Sequence, residues 1–150
     1  MVSLDALYWQ PGWRPADPFS FERRVTDAAN EPTWIMDGNY LSQGAGALRR
    51  ALADTIIWFD LPRWVCMTGI FLRIVRTYGE VRPEMAAGCP EKLDPEFIRY
   101  VWAYRRQQRP KQLEFFKGLR PDQTFIRFAR RREADHYLAS QAPGLAAAGV

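Results

Sequence analysis

Apolar and polar positions divide the chain into short apolar runs and longer stretches of helical spacing. Val2-Ser3-Leu4-Asp5 reads as the tail of a short strand, and an aromatic, turn-rich stretch follows from Ala6 to Pro15, with Trp9, Pro11, Gly12 and Trp13. Asp17-Pro18 has the form of a helix start, Asp17 as N-cap and Pro18 at the first helical position, and the helix runs to about Ala29. Thr33-Trp34-Ile35-Met36 is strand-like and closes on Asp37-Gly38-Asn39-Tyr40, where Gly38 predicts a tight turn. A short helical piece near Ala47 to Leu52 precedes the clearest strand, Asp54 to Asp60. Its unbroken Ile-Ile-Trp-Phe run predicts burial on both faces, as in a parallel sheet.

Leu61-Pro62 starts a helix extending to about Tyr78, with Trp64, Met67, Phe71, Ile74 and Tyr78 at helical spacing. Gly79 to Leu93 is a charged, Gly- and Pro-containing loop. Asp94-Pro95 repeats the earlier cap signal, and the helix that follows carries Phe97, Val101 and Tyr104 on one stripe until Pro110 kinks or restarts it. Gln123 to Phe128 reads as a strand, Glu133 to Ser140 as a last helix, and 141–150 as a small-residue tail that frays. Strands alternating with helices predict an α/β domain over 1–150, a parallel sheet with flanking helices and right-handed crossovers.

Composition narrows the class. With 150 residues and 47% apolar content, the chain has enough material for one globular core, which excludes disorder, collagen-like repeats and a disulfide scaffold. The uncharged stretch Trp64 to Leu72 is far shorter than the roughly 20 residues that cross a bilayer. The start MVSLDALYWQ has neither the basic region nor the apolar core of a secretory signal, so a cytoplasmic protein is expected. Cys66 and Cys89 have unlike surroundings and no CxxC spacing, and His136 is the sole histidine, so a metal here would be held by carboxylates and phosphates.

The net charge of +4 is unevenly spread. From Arg99 to Arg132 there are 11 basic and 2 acidic residues, net +9, which leaves −5 for the rest. Of the 21 basic residues 18 are Arg, whose forked guanidinium matches phosphate oxygens, so an anionic partner is expected.

In parallel sheets ligands gather at the carboxyl ends of strands. Three predicted strands end in Asp: Asp5, Asp37 and Asp60. Asp60, just before Leu-Pro and a helix, reads first as a cap, and Asp5 is divided between site and turn. Asp37 is the better candidate, because Asp37, Asn39 and Tyr40 supply a carboxylate, an amide and a phenol around one turn. A plain polar turn is the competing reading. Arg73 and Arg76 share a helix face next to the loop carrying Arg82. The set is either a mobile clamp on a polyphosphate or a solvated face paired with Glu80 and Glu84. Trp9 and Trp13 suit stacking on a base or sugar, or packing on the helix after Asp17. Tyr100, Trp102, Tyr104, Phe115 and Phe116, interleaved with arginines, invite a nucleic-acid reading, with core packing on a helix stripe the better account.

Several phrases taken together, in order along nearly the whole chain, resemble one bacterial family. They are Leu4-Asp5-Ala6-Leu7-Tyr8-Trp9 with Pro11-Gly12-Trp13, Trp34-Ile35-Met36-Asp37-Gly38-Asn39-Tyr40, Ala53 to Arg63, the Arg73/Arg76/Arg82 region, Gly88-Cys89-Pro90-Glu91 and the helix from Phe97. The family is that of the topology modulation proteins, adenylate kinase-like P-loop kinases. The resemblance implies a nucleoside-monophosphate-kinase fold that transfers the γ-phosphoryl of ATP, with Mg²⁺, to a small acceptor of which nucleotides are one class. It implies that Asp5, Trp9 and Trp13 lie on the acceptor side (about 5–30), with Asn39, Tyr40 and Arg50 also at the substrate. Asp37 would lie at the magnesium and phosphate centre, and Arg73, Arg76 and Arg82 in a lid (about 73–93).

The chain departs from that family at its start. It has no strand followed by Gly-x-x-x-x-Gly-Lys-Ser/Thr and a helix, and its three lysines, Lys92, Lys111 and Lys117, lie in no such pattern. The expectation is a domain missing its first strand, P-loop and first helix, through a start codon placed too far downstream or a true truncation. ATP binding by this chain would then be inefficient and the chain inactive alone. The strand missing would be the central one, leaving apolar strand faces and edges exposed. The alternative reading is a noncatalytic anion- or nucleic-acid-binding protein using the basic C-terminal third.

Overall fold

Ser3 makes the first correction to that reading. The structure, a computed structural model, describes residues 1–147 and ends strand β1 at Val2–Ser3; helix α1 (Leu4–Tyr8) begins at once. The Ser3 hydroxyl accepts the Ala6 N–H at 3.3 Å, and Asp5 sits in the first turn, where the helix dipole favours an acid. Asp5 is thus a residue of the helix's first turn, two positions past the strand, not the strand's last residue.

The aromatic stretch folds as a hairpin, β2 (Trp9–Gln10) antiparallel to β3 (Arg14–Pro15), with Gly12 and Trp13 both at positive φ in the turn. Helix α2 (Pro18–Ala29) has the predicted Asp17 cap, whose carboxylate accepts the Ser20 N–H at 2.8 Å. Strand β4 is only Met36–Asp37, later and shorter than predicted, and runs parallel to β1 with Val2 opposite Met36 and Ser3 opposite Asp37. At Gly38 φ is +137°, and a Cβ would come within 2.7 Å of Leu4 Cβ, so the close approach of α1 requires glycine there.

Helix α3 (Gly46–Leu52) leads into β5 (Thr55–Phe59), then α4 (Arg63–Thr77), α5 (Pro95–Gln107) and α6 (Arg109–Lys117). Pro110 restarts the helix rather than kinking it. Strand β6 (Thr124–Phe128) runs parallel to β5 over all five residues, and α7 (Arg131–Ala147) closes the described chain. The last helix therefore takes in residues 141–147 of the predicted tail; 148–150 lie outside the described residues.

The architecture is α/β with parallel pairing, but among the described residues it is not one sheet. The strands form three two-stranded sheets, β1-β4, β2-β3 and β5-β6. One core gathers Leu4, Ala16, Phe21 and Val25, with Tyr8 and Tyr40 each 5.1 Å from the Phe21 ring. In β5 only Trp58 is buried. Ile57 and Phe59 remain 47% and 55% exposed, so the apolar run is not covered on both faces; among the described residues β5 has one neighbouring strand. On α4 the buried residues are Met67, Ile70 and Ile74. Trp64, Phe71 and Tyr78 of the predicted stripe remain exposed, although Trp64 meets Trp102 of α5 edge to face at 5.2 Å. Helix α5 buries none of its residues, and Phe97, Tyr100 and Trp102 are exposed, so its aromatic stripe is not a core stripe.

Candidate functional site

At the carboxyl ends of β1 and β4, Tyr40 donates its hydroxyl proton to Asp5 Oδ1 at 2.6 Å. Burial first, and the Asp5 carboxylate second, push the Tyr40 hydroxyl well above the ordinary phenol range, so it stays a donor. Half-buried Arg49, which the sequence reading did not single out, holds this segment by donating to the Tyr40 and Gly44 carbonyls at 2.6 and 2.9 Å. Asn39 donates to the Tyr104 hydroxyl at 3.2 Å and accepts from buried Gln112 at 2.6 Å, which ties the end of β4 to α5 and α6. Asp37 is exposed, and among the described residues its side chain makes no hydrogen bond or ion pair. Arg50 is occupied: it donates to the Phe115 carbonyl at 2.9 Å and lies over the Phe115 ring.

The two hairpin tryptophans meet edge to face at 5.5 Å. Trp13 Nε1 donates to the Pro90 carbonyl at 3.0 Å, the Gly12 N–H donates to Gly88 O at 2.8 Å, and the buried Cys89 thiol donates to Gln10 O at 3.1 Å. Lys92 lies over the Trp13 ring. The hairpin is docked on the far end of the predicted lid loop, which leaves Trp13 half-buried.

That loop is also pinned at its base. Gly79 N–H donates to Glu91 O at 2.9 Å and Glu91 N–H to Glu80 O at 2.8 Å, so both ends of the segment 79–91 are joined. Two of the predicted lid arginines converge on one acid. Arg73 Nε lies 2.8 Å and Arg82 Nε 3.1 Å from Glu91 Oε2, and the Glu91 side chain is 5% exposed. Arg82 also pairs with Glu84 at 2.5 Å, as one of the two sequence readings had it, whereas Glu91 had not been identified as a partner. Arg76 is exposed and lines, with Arg73, Leu72, Thr77 and Arg131, an open groove of about 470 Å³.

Asp60 is neither cap nor open site. Pro62 occupies the N-cap of α4 without a side-chain bond, and Asp60 accepts from Arg109 at 2.8 and 2.9 Å and from Arg127 at 2.5 Å. Both guanidinium groups also lie over the Trp58 ring. Burial pushes the Asp60 carboxyl upward, but hydrogen bonds and charge from the two arginines outweigh it and hold the group below the usual carboxylate range.

Among the described residues no three His, Cys, Asp or Glu side chains gather as a metal-binding group. Asp37 is exposed and belongs to no such group. The sequence offers no Gly-rich cradle for the phosphates of ATP either. No helix of the described chain is long and apolar enough to cross a membrane. Set against known proteins, the chain matches no family model, no curated protein and no solved structure.

Proposed function

We propose that this chain carries the acceptor side and the arginine lid of an adenylate kinase-like phosphotransferase acting on a small acceptor, with nucleotides the first class to try. The observation that supports the reading is the gathering of Arg73, Arg76 and Arg82. Two of them meet at one buried carboxylate, and the third opens on the same groove as Arg73. Guanidinium groups so placed neutralise charge on phosphoryl oxygens, where they act most strongly when water is excluded. Asp5, held by Tyr40 at the end of the β1-β4 pair, is the carboxylate placed to orient an acceptor hydroxyl. The parallel pairing of β1 with β4 and of β5 with β6 agrees with such a fold.

The 150 residues include no Gly-x-x-x-x-Gly-Lys-Ser/Thr, so this chain is assigned anion binding, and turnover is left to a protein that has that loop. Two tests follow. The in-frame codons before Met1, about 35 of them, should encode Gly-x-x-x-x-Gly-Lys-Ser/Thr. Calorimetry at low salt should show pyrophosphate and AMP binding to the chain, with pyrophosphate binding lost in Arg76→Gln. Neither anion binding, together with a stop codon upstream, would overturn the proposal.

One observation favours a second reading. Helix α5 presents Tyr100 and Trp102 beside exposed Arg99, Arg105 and Arg106, a surface suited to single-stranded nucleic acid. Binding to an oligonucleotide that falls steeply with added salt and ignores AMP would support it over the first.

A further inference from the structure

Glu91 holds a place that a ligand would use. Its carboxylate is buried between Arg73 and Arg82, yet Arg73 reaches it by a single long hydrogen bond, Nη2 to Oε1 at 3.4 Å, and Arg73 Nε and Glu91 Oε2 lie close without the alignment of a hydrogen bond. A buried ion pair that is not fully hydrogen-bonded recovers little of its desolvation cost, so a better-matched anion can compete for it. The neighbouring groove supplies the approach. Its lining includes Arg73, Arg76 and Arg131 and no acidic side chain. Glu91 is also mechanically connected. Its backbone closes the segment 79–91, and its neighbours Gly88, Cys89 and Pro90 hold the tryptophan hairpin.

We propose that Glu91 is an internal substitute for a phosphate group: it occupies Arg73 and Arg82 in the free protein, and a pyrophosphate-class anion in the Arg73/Arg76/Arg131 groove displaces it and loosens the docked hairpin. The inference rests on the lid reading and adds regulation to it. Displacement is reciprocal: whatever weakens the Glu91 contact strengthens anion binding, and bound anion weakens the Glu91 contact by the same factor. The free protein therefore binds more weakly than its arginines would allow, because the binding-competent form is a minor population.

The test is Glu91→Gln, which keeps the side-chain shape and removes the charge, with inorganic pyrophosphate as the probe. The variant should bind pyrophosphate roughly tenfold more tightly than the native chain in calorimetry. Its tryptophan emission without ligand should match that of the native chain saturated with pyrophosphate. Equal or weaker binding by a variant with a native circular dichroism spectrum overturns the latch. If the native chain still binds pyrophosphate through Arg76, the lid reading survives that failure; if neither chain binds, both fall. Should Glu91→Gln not fold, hydrogen exchange on the native protein decides. Saturating pyrophosphate should speed exchange at the Gly79, Glu91 and Gly12 amides, and unchanged or slower exchange overturns the proposal.

Discussion

The clusters around Asp60 and Glu91 have the same inventory, one buried carboxylate and two arginines, and differ in what holds them. Asp60 ends a strand, is gripped in bidentate fashion from α6, and receives its second arginine from the strand alongside. Both arginines are further fixed over Trp58. Glu91 ends a loop, shares Arg82 with Glu84, and meets Arg73 through one long hydrogen bond, Nη2 to Oε1 at 3.4 Å, with Nε and Oε2 close but unaligned. The first arrangement over-determines each charge and holds β5, β6 and α6 together. The second leaves its arginines able to change partner. Similar ion pairs thus serve a joint in one place and a latch in the other.

Breaking the joint should have the largest effect. Asp60→Ala leaves Arg109 and Arg127 without their anion and should cost about 3 kcal/mol in urea unfolding, and a loss below about 1 kcal/mol would remove the distinction drawn here. The same carboxylate sets an acid limb. Because its folded pKa lies below the unfolded value of about 3.9, its contribution is complete above that value and is lost as pH falls through the lower folded pKa. Unfolding measured between about pH 5 and pH 2 should therefore show a limb that flattens in Asp60→Ala. At the latch, Glu91→Gln should lower stability by about 1 kcal/mol, less than the Asp60 change, since its hydrogen bonding is already incomplete. Arg76→Gln should leave Tm unchanged while removing pyrophosphate binding. A fall in Tm like that of Asp60→Ala would make Arg76 part of a joint as well.

Cap chemistry was legible from sequence because it is local. Asp17 and Asp94 accept the N–H groups that their Asp-Pro pairs predict. Ser3 follows the same rule, yet the apolar Val-Ser-Leu run masked it and Asp5 was assigned to a strand. The apolar run Ile56 to Phe59 and the stripe on α4 were misread for another reason. Periodicity reports which positions are able to be buried, while neighbouring elements decide which are; β5 has one strand beside it among the described residues, and on α4 the buried positions are Met67, Ile70 and Ile74. In the candidate site, Arg73, Arg76 and Arg82 were found by their spacing. Glu91 and Gln112 were not assigned roles, since their partners lie far away in sequence or on another element and no local pattern announces them.

The docking of the hairpin sets an order on assembly during synthesis. Gln10 and Cys89 are 79 positions apart, and Trp13 and Pro90 are 77 apart. A chain emerging from the ribosome at about 5 to 20 residues per second completes the hairpin seconds before its partner exists. During that interval both indoles face water and the loop-closure cost is still outstanding. Translation arrested before Pro90 would hold the tryptophans in that state, and their red-shifted emission would time the arrival of the second half of the fold.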